Sequence, residues 1–385
     1  MKQNMRIETT CIHGFKDKSN NTGAIAVPIF QSATFSHSSL NETTEYSYSR
    51  LQNPTRDAVE KVVAQLENAG EALAFTSGMA ATSALMELFE IGDHIIAIED
   101  LYGGSIRLFN NITRKNGIEV DYVNNSVSDI CAKIKSNTKA IFIETPTNPM
   151  MHVTDIGAVK EAISKRSNEK NILIIVDNTF LTPYFQQPLS LGADIIIHSG
   201  TKYLGGHNDT LAGFLVASDP DLIERLRFIH KTTGACLSPM DSFLIIRGIK
   251  TLAIRMEKAQ HNAMILASWL QGQKSVKAVY YVGLKDHKDY EISKKQARGF
   301  GAMISFEVDS KETARKILEG VSLITYAESL GGTETLITYP MLQTHGDVPI
   351  EEREARGINE RLLRISIGIE HIDDIIEDLA KAIGN

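Results

Sequence analysis

Cysteine is scarce in this chain, and its three residues, Cys11, Cys131 and Cys236, stand far apart with no CxxC pair. That spacing argues against a disulfide framework and against a thiolate zinc site. Positive charge is not in excess either: 40 Lys+Arg face 47 Asp+Glu, a formal charge of -7. With no global basic field for nucleic acid, any anion must be bound by a local site. No apolar run reaches the roughly 18 residues that cross a bilayer. The opening MKQNMRIETTCIHG also lacks the basic-then-apolar order of a secretory signal. These absences lead to the expectation of a reducing, cytoplasmic setting with no membrane and no nucleic-acid partner. Two common nucleotide signatures are missing as well: no GxxxxGK[ST] occurs, and no GxGxxG follows the first strand. His198 and His207 are nine residues apart without a supporting Cys or carboxylate, so no metal is expected.

What is present is an ordinary globular composition, 43% hydrophobic and 23% charged over 385 residues. That length exceeds a usual single domain and predicts a large α/β body with a smaller second domain. Residues 1–55 are rich in Ser, Thr and Asn without sustained periodicity, which predicts an irregular arm packed on a neighbouring subunit. From 56 to 249, helical stretches alternate with short apolar runs, the pattern of a mostly parallel sheet covered by helices. Its clearest strands are HIIAIED (94–100), KAIFIET (139–145), NILIIVDN (171–178) and ADIIIHS (193–199), each apolar throughout because both faces are buried. The stretch 239–272 has helical spacing with a bend expected near Gly248. Beyond about 250, GAMISFEVD, KETARKILEG, LLRISIGIE and DDIIEDLAKAI predict a separate α+β domain extending to 385.

Three clusters at predicted strand ends carry chemistry, where an open parallel sheet places its ligands. Phe75-Thr76-Ser77-Gly78-Met79-Ala80 ends one apolar run and starts a helix, so its backbone N–H groups suit a phosphate; taken alone it is equally a tight turn with a Ser cap. Asp177 closes a buried strand, where an unpaired carboxylate is costly and a protonated pyridine nitrogen would be a partner. A lone Asp there is otherwise a turn cap. Lys202 follows another strand within SGTKYLGGH (199–207), flanked by the hydroxyls of Ser199 and Thr201, and could form an imine if its pKa were lowered. A lone lysine is usually a solvated surface group; phosphate loop, strand-end acid and strand-end amine in this order describe a pyridoxal 5'-phosphate site.

With those residues placed, the chain resembles the Cys/Met-metabolism, or trans-sulfuration, family of pyridoxal-phosphate enzymes. Eight ordered motifs carry the resemblance: Tyr48-Ser49-Arg50 with NPTR (53–56), TSGM (76–79), Tyr102-Gly103-Gly104, ETPTNP (144–149), VDNT (176–179), SGTKY (199–203) with Gly206-His207, ESLGG (328–332) and RISIGIE (364–370). The resemblance implies an aspartate-aminotransferase-like (fold type I) large domain and a homotetramer built as a dimer of dimers. It implies that Ser77, Gly78, Met79, Ser199 and Thr201 hold the phosphate, with Tyr48 and Arg50 reaching in from a partner subunit. It further implies that Tyr102 stacks on the cofactor ring and activates the incoming amine, that Asp177 pairs with the ring nitrogen while Thr179 beside it also binds the cofactor, and that Lys202 is imine carrier and proton shuttle. Asn148, Ser329 and Arg364 are implied to hold the amino-acid substrate, Arg364 by its α-carboxylate.

Within the family, Glu328 matches the acidic position of γ-synthases and γ-lyases. Gly104 and Arg107 stand where methionine γ-lyases carry Cys and a small or apolar residue. The single Trp, Trp269, is far from the ESLGG loop, unlike enteric β-lyases. Ser47 replaces the usual acid before Tyr48, and Leu51-Gln52 a small or basic pair. The stretch 296–307 is most similar to bacterial γ-synthases. Cystathionine γ-synthase is therefore the first expectation and cystathionine γ-lyase the second, with Glu328 and Arg107 added to the substrate contacts.

Overall fold

The computed structural model describes residues 5–15, 23–41, 44–166, 172–344, 346 and 349–384. Two sheets organise them. The larger runs β1 (Glu71–Phe75), β2 (His94–Ile98), β3 (Glu119–Val123), β4 (Thr138–Glu144), β5 (Leu173–Asp177), β6 (Ile195–Ser199) and β7 (Gly213–Ala217). Its spatial order is β1-β7-β6-β5-β4-β2-β3. Strands β2 to β6 pair in parallel, while β7 lies antiparallel to both β1 and β6. Ile174, Ile175 and Val176 in β5, and Ile195 and Ile196 in β6, have no exposed surface, as the continuous apolar runs require. The four strands expected from sequence are present: three are shorter by one to two residues at one or both ends, and β4 keeps the expected length but starts and ends one residue earlier; Asn171 lies outside the described residues.

The second sheet comprises β8 (Val276–Tyr280), β9 (Met303–Val308), β10 (Thr325–Tyr326), β11 (Leu336–Thr338) and β12 (Leu362–Ser366), in the order β10-β11-β12-β9-β8. Helices 311–320 and 372–383 pack together beside it. Between the sheets, helix Pro239–Ile249 stops and helix Leu252–Gln271 begins. The break falls at Lys250-Thr251 rather than at Gly248, which remains helical. Gly248 serves a close approach instead, since a Cβ there would stand 2.1 Å from the Gly205 carbonyl, just beyond Lys202.

The N-terminal stretch departs from the irregular arm expected. Residues Ile7–His13 form a helix packed against helices Pro54–Leu66 and Leu252–Gln271, with Cys11 buried. Seven residues are too few for a periodic signal to emerge. Residues 24–41 and 44–50 are extended or turning, joined by a bridge from Thr34 to Tyr48. Among the described residues, no helix is long and apolar enough to cross a membrane.

Candidate active site

A cavity of about 350 Å³ opens at the carboxyl ends of β4, β5 and β6 and is closed from the other side by residues of the second sheet. One wall is the turn after β1. Ser77 is the N-cap of helix Gly78–Met86 and its Oγ accepts the Ala80 N–H at 3.0 Å, leaving the first turn's other N–H groups toward the cavity. Gly78 and Met79 line it too. The approach of β7 depends on glycine: a Cβ on Gly213 would stand 2.0 Å from the Ser77 carbonyl oxygen. Opposite this turn, Ser199 contributes its side chain, and a Cβ on Gly78 would come within 3.0 Å of the Ser199 Cβ. Thr201 also lines the cavity, but its hydroxyl is shared with Ala212, donating to the carbonyl at 3.2 Å and accepting the N–H at 3.0 Å.

Asp177 lies deeper. Its Oδ1 accepts the Thr179 N–H at 3.0 Å and the Thr179 hydroxyl at 2.6 Å. That hydroxyl accepts the Ser199 N–H at 2.8 Å, so Thr179 ties the acid to the phosphate wall. Among the described residues Oδ2 has no hydrogen-bond partner, and it is left for a ligand. Burial raises the Asp177 carboxyl above its ordinary range, and the two Thr179 donors oppose that rise.

Lys202 Nζ donates to Ser329 Oγ at 2.9 Å. Burial, then the Arg364 charge, pull the amine down to about 8, with Glu328 acting in the opposite sense. A neutral amine is thereby accessible near physiological pH. Arg364 is buried at 1% exposure. Its Nη1 donates to Asn148 Oδ1 at 2.9 Å, and its Nη2 to the Ser329 carbonyl at 3.0 Å and to Thr338 Oγ1 at 3.1 Å. All three acceptors are neutral and Nε has none. Burial pulls the guanidinium down to about 10. A buried cation held only by neutral groups is arranged to receive an anion; it is no surface ion pair.

An anion cradle, an acid with a free oxygen and a depressed amine fit the phosphate, ring nitrogen and aldehyde carbon of pyridoxal 5'-phosphate. Residues 8–384 match the sequence model of the Cys/Met metabolism PLP-dependent enzymes. The chain belongs to that family.

Its relatives share its full length. The cystathionine gamma-lyase of Bacillus subtilis (strain 168) is 46% identical over 382 residues, covering 99% of this chain and 100% of its own. A cystathionine beta-lyase of Lactococcus lactis subsp. cremoris (strain MG1363) is 45% identical, covering 98% of each. The cystathionine gamma-synthase of Haemophilus influenzae is 44% identical, covering 100% of each. The structure of cystathionine gamma-lyase from Lactobacillus plantarum complexed with L-serine superposes with a TM-score of 0.95 at 41% identity, covering 98% of each chain.

The remaining expected site residues of this PLP-dependent enzyme divide into two groups. Tyr102, Asn148, Glu328 and Ser329 line the same cavity. Tyr102 is 41% exposed at its mouth, so it is not a core tyrosine. A Cβ on Gly104 would stand 2.4 Å from the Tyr102 ring, so the ring's position depends on glycine there. Tyr48, Arg50 and Arg107 lie outside the cavity of their own chain. Tyr48 is exposed, Arg50 Nη1 donates to the Lys231 carbonyl at 2.5 Å, and Arg107 sits on the exposed face of helix Gly103–Leu108. Of the two histidines near Lys202, His198 pairs with Glu67 at 2.6 Å on the other face of β6, and the His207 ring meets the Gly205 carbonyl at 2.8 Å.

Sequence reasoning assigned no role to Glu144, although its motif was in view. It lines the cavity, is buried, and its Oε2 accepts the Tyr102 N–H at 2.9 Å. The signal was its place at a strand end, the same signal that marked Asp177.

Proposed function

We propose that this enzyme works at the γ-carbon in trans-sulfuration, joining cysteine to an activated homoserine ester to give cystathionine and the acid of the ester. The observation that carries this reading is that Glu328 and Arg364 line one cavity with Lys202 and both act on its amine. Arg364 suits the α-carboxylate at the reacting end of a long amino acid, and the Glu328 carboxylate suits a distal ammonium such as the one on the cysteine half of cystathionine.

When bound, pyridoxal 5'-phosphate supplies an electron sink for charge developing at the substrate Cα. The chain's residues do the rest. Tyr102, at the cavity mouth, accepts a hydrogen bond from the incoming amine and orients it toward Lys202. Lys202, displaced from the cofactor and neutral, would take the proton from Cα, hand it on to the cofactor's C4', and so be free to take one from Cβ before the γ-substituent departs. Ser329 steers the Lys202 amine between these positions, and Asp177 holds the ring nitrogen. Tyr48 and Arg50 act in the partner subunit's cavity, with Arg50 on the phosphate, so the dimer is the smallest active unit and two dimers form the tetramer. Arg107, exposed one turn past Tyr102, belongs to this reading only through substrate atoms that extend beyond the cavity.

A second reading, cleavage of cystathionine to cysteine, 2-oxobutanoate and ammonia, is favoured by the 46% identity to the Bacillus subtilis cystathionine gamma-lyase. One panel decides: O-succinylhomoserine or O-acetylhomoserine with cysteine, against cystathionine, homocysteine and methionine each alone. Cystathionine formation is the expected result. Faster 2-oxobutanoate release from cystathionine would move the assignment to the γ-lyase. Pyruvate with homocysteine from cystathionine would show attack at the β-carbon and overturn both.

A further inference from the structure

β4 and β5 are parallel neighbours, and their last residues, Glu144 and Asp177, are partners on one rung of the ladder. Parallel strands lie about 4.8 Å apart, and both side chains line the cavity, so two acids sit side by side on one face of the sheet. They are not equally supported. Among the described residues, Asp177 receives two donors from Thr179, whereas Glu144 receives only the Tyr102 N–H.

The groups around them relieve the repulsion only in part. Asp100, just beyond β2, adds a third acid. Its Oδ2 is bonded by Thr147 and by the Met150 N–H, and its buried Oδ1 has no partner. Arg364, from β12, is the cation that faces Glu144, but its three hydrogen bonds all go to neutral acceptors elsewhere. His198 lies behind Asp177 on the other face of β6 and is paired with Glu67. Two buried carboxyls on adjacent strand ends do not both ionise readily, and the one with more hydrogen-bond donors takes the charge.

We propose that Glu144 is a positioning residue carrying the proton of a one-proton carboxyl pair with Asp177. Asp177 thereby keeps its negative charge for the pyridine nitrogen, while the Glu144 carboxyl fixes the Tyr102 backbone at the cavity mouth. Burial first, and then the Asp177 charge, push Glu144 well above the ordinary carboxyl range, with the Tyr102 N–H and Arg364 pulling back. This role does not depend on which carbon–sulfur bond the enzyme makes or breaks.

The test reads the proton directly. Infrared difference spectra of the holoenzyme at neutral pH, wild type against Glu144→Gln, are expected to show a protonated-carboxyl band that the substitution removes; the cofactor contributes no carboxyl of its own. Glu144→Gln keeps a neutral acceptor for the Tyr102 N–H and Glu144→Ala does not. The alanine variant should therefore lose about tenfold more kcat than the glutamine variant, as expected when a donor is stripped of its acceptor. Only an ionised-carboxylate band lost in Glu144→Gln would overturn the proposal. So would equal kcat losses in the two variants, both shown to be folded by circular dichroism.

Discussion

Lys202 Nζ donates to Ser329 Oγ at 2.9 Å across 127 residues of chain, tying the end of β6 in the first sheet to the loop before β11 in the second. Ser329 holds an uncommon positive φ of 101°, and its carbonyl accepts from Arg364 Nη2 at 3.0 Å. One loop residue thus touches both the amine expected to bear the cofactor and the guanidinium expected to bear the substrate carboxylate. Domain packing, and not only the sheet, sets the distance between those two groups.

Burial of the Lys202 amine makes a prediction about stability. Its folded-state value of about 8 lies below the ordinary 10.5, so between these pH values the unfolded chain holds a proton that the folded chain has released. Stability from this group therefore rises with pH from about 8 to 10.5, and below about 8 the cost of the buried charge is present in full. In the cofactor-free protein, Lys202→Met should raise the Tm at neutral pH by roughly 2 °C or more, and the difference should shrink toward pH 10. Thermal scans across that range check it; a Tm difference independent of pH would contradict the burial argument.

Arg364→Lys keeps the charge but cannot reproduce the planar fork that meets Asn148, Ser329 and Thr338. The expected result is a loss of about 10- to 100-fold in kcat/KM for every amino-acid substrate. Steady-state kinetics on two substrates that differ only beyond Cγ test this, since both should suffer equally.

Glu328→Ala should act on the other end of the substrate. Its carboxylate sits at the exposed rim of the cavity, so the loss should be greater with cystathionine, which carries a distal ammonium, than with methionine, which does not. Equal losses would remove the role assigned to Glu328.

How much of this was legible in sequence follows from physical distance along the chain. β2, β4, β5 and β6 were legible because burial on both faces leaves unbroken apolar runs, and Asp177 and Lys202 because a polar residue ending such a run needs a reason. β3 (EVDYV) is partly exposed, and β1 (EALAF) and β7 (GFLVA) have too few β-branched residues to mark them as strands. That β7 runs antiparallel depends on pairing with β1 and β6, which no local pattern encodes. Glu144 escaped notice because its neighbour is 33 positions away and is brought alongside only by strand order. Thr179 and Thr201, both expected to touch the cofactor, line the cavity; that their hydroxyls also bind Asp177 and Ser199, and Ala212, depends on partners brought together only by the fold.

The proposed sharing of active sites between subunits makes a prediction that no single variant can mimic. Tyr48 and Arg50 lie outside their own chain's cavity, so Lys202→Ala and Arg50→Ala should each be nearly inactive alone. Mixed in equal amounts through unfolding and reassembly, they should recover about a quarter of wild-type activity, because half the dimers then contain one intact site. Sites confined to single chains would give no recovery.

The account rests most directly on Lys202 as the residue that bears the cofactor. Borohydride reduction of the yellow holoenzyme, followed by proteolysis and mass mapping, should place a single pyridoxyl group on the peptide containing Lys202, with loss of the visible band. A pyridoxyl group on any other lysine, or a folded protein that acquires none after exposure to pyridoxal 5'-phosphate, would contradict it.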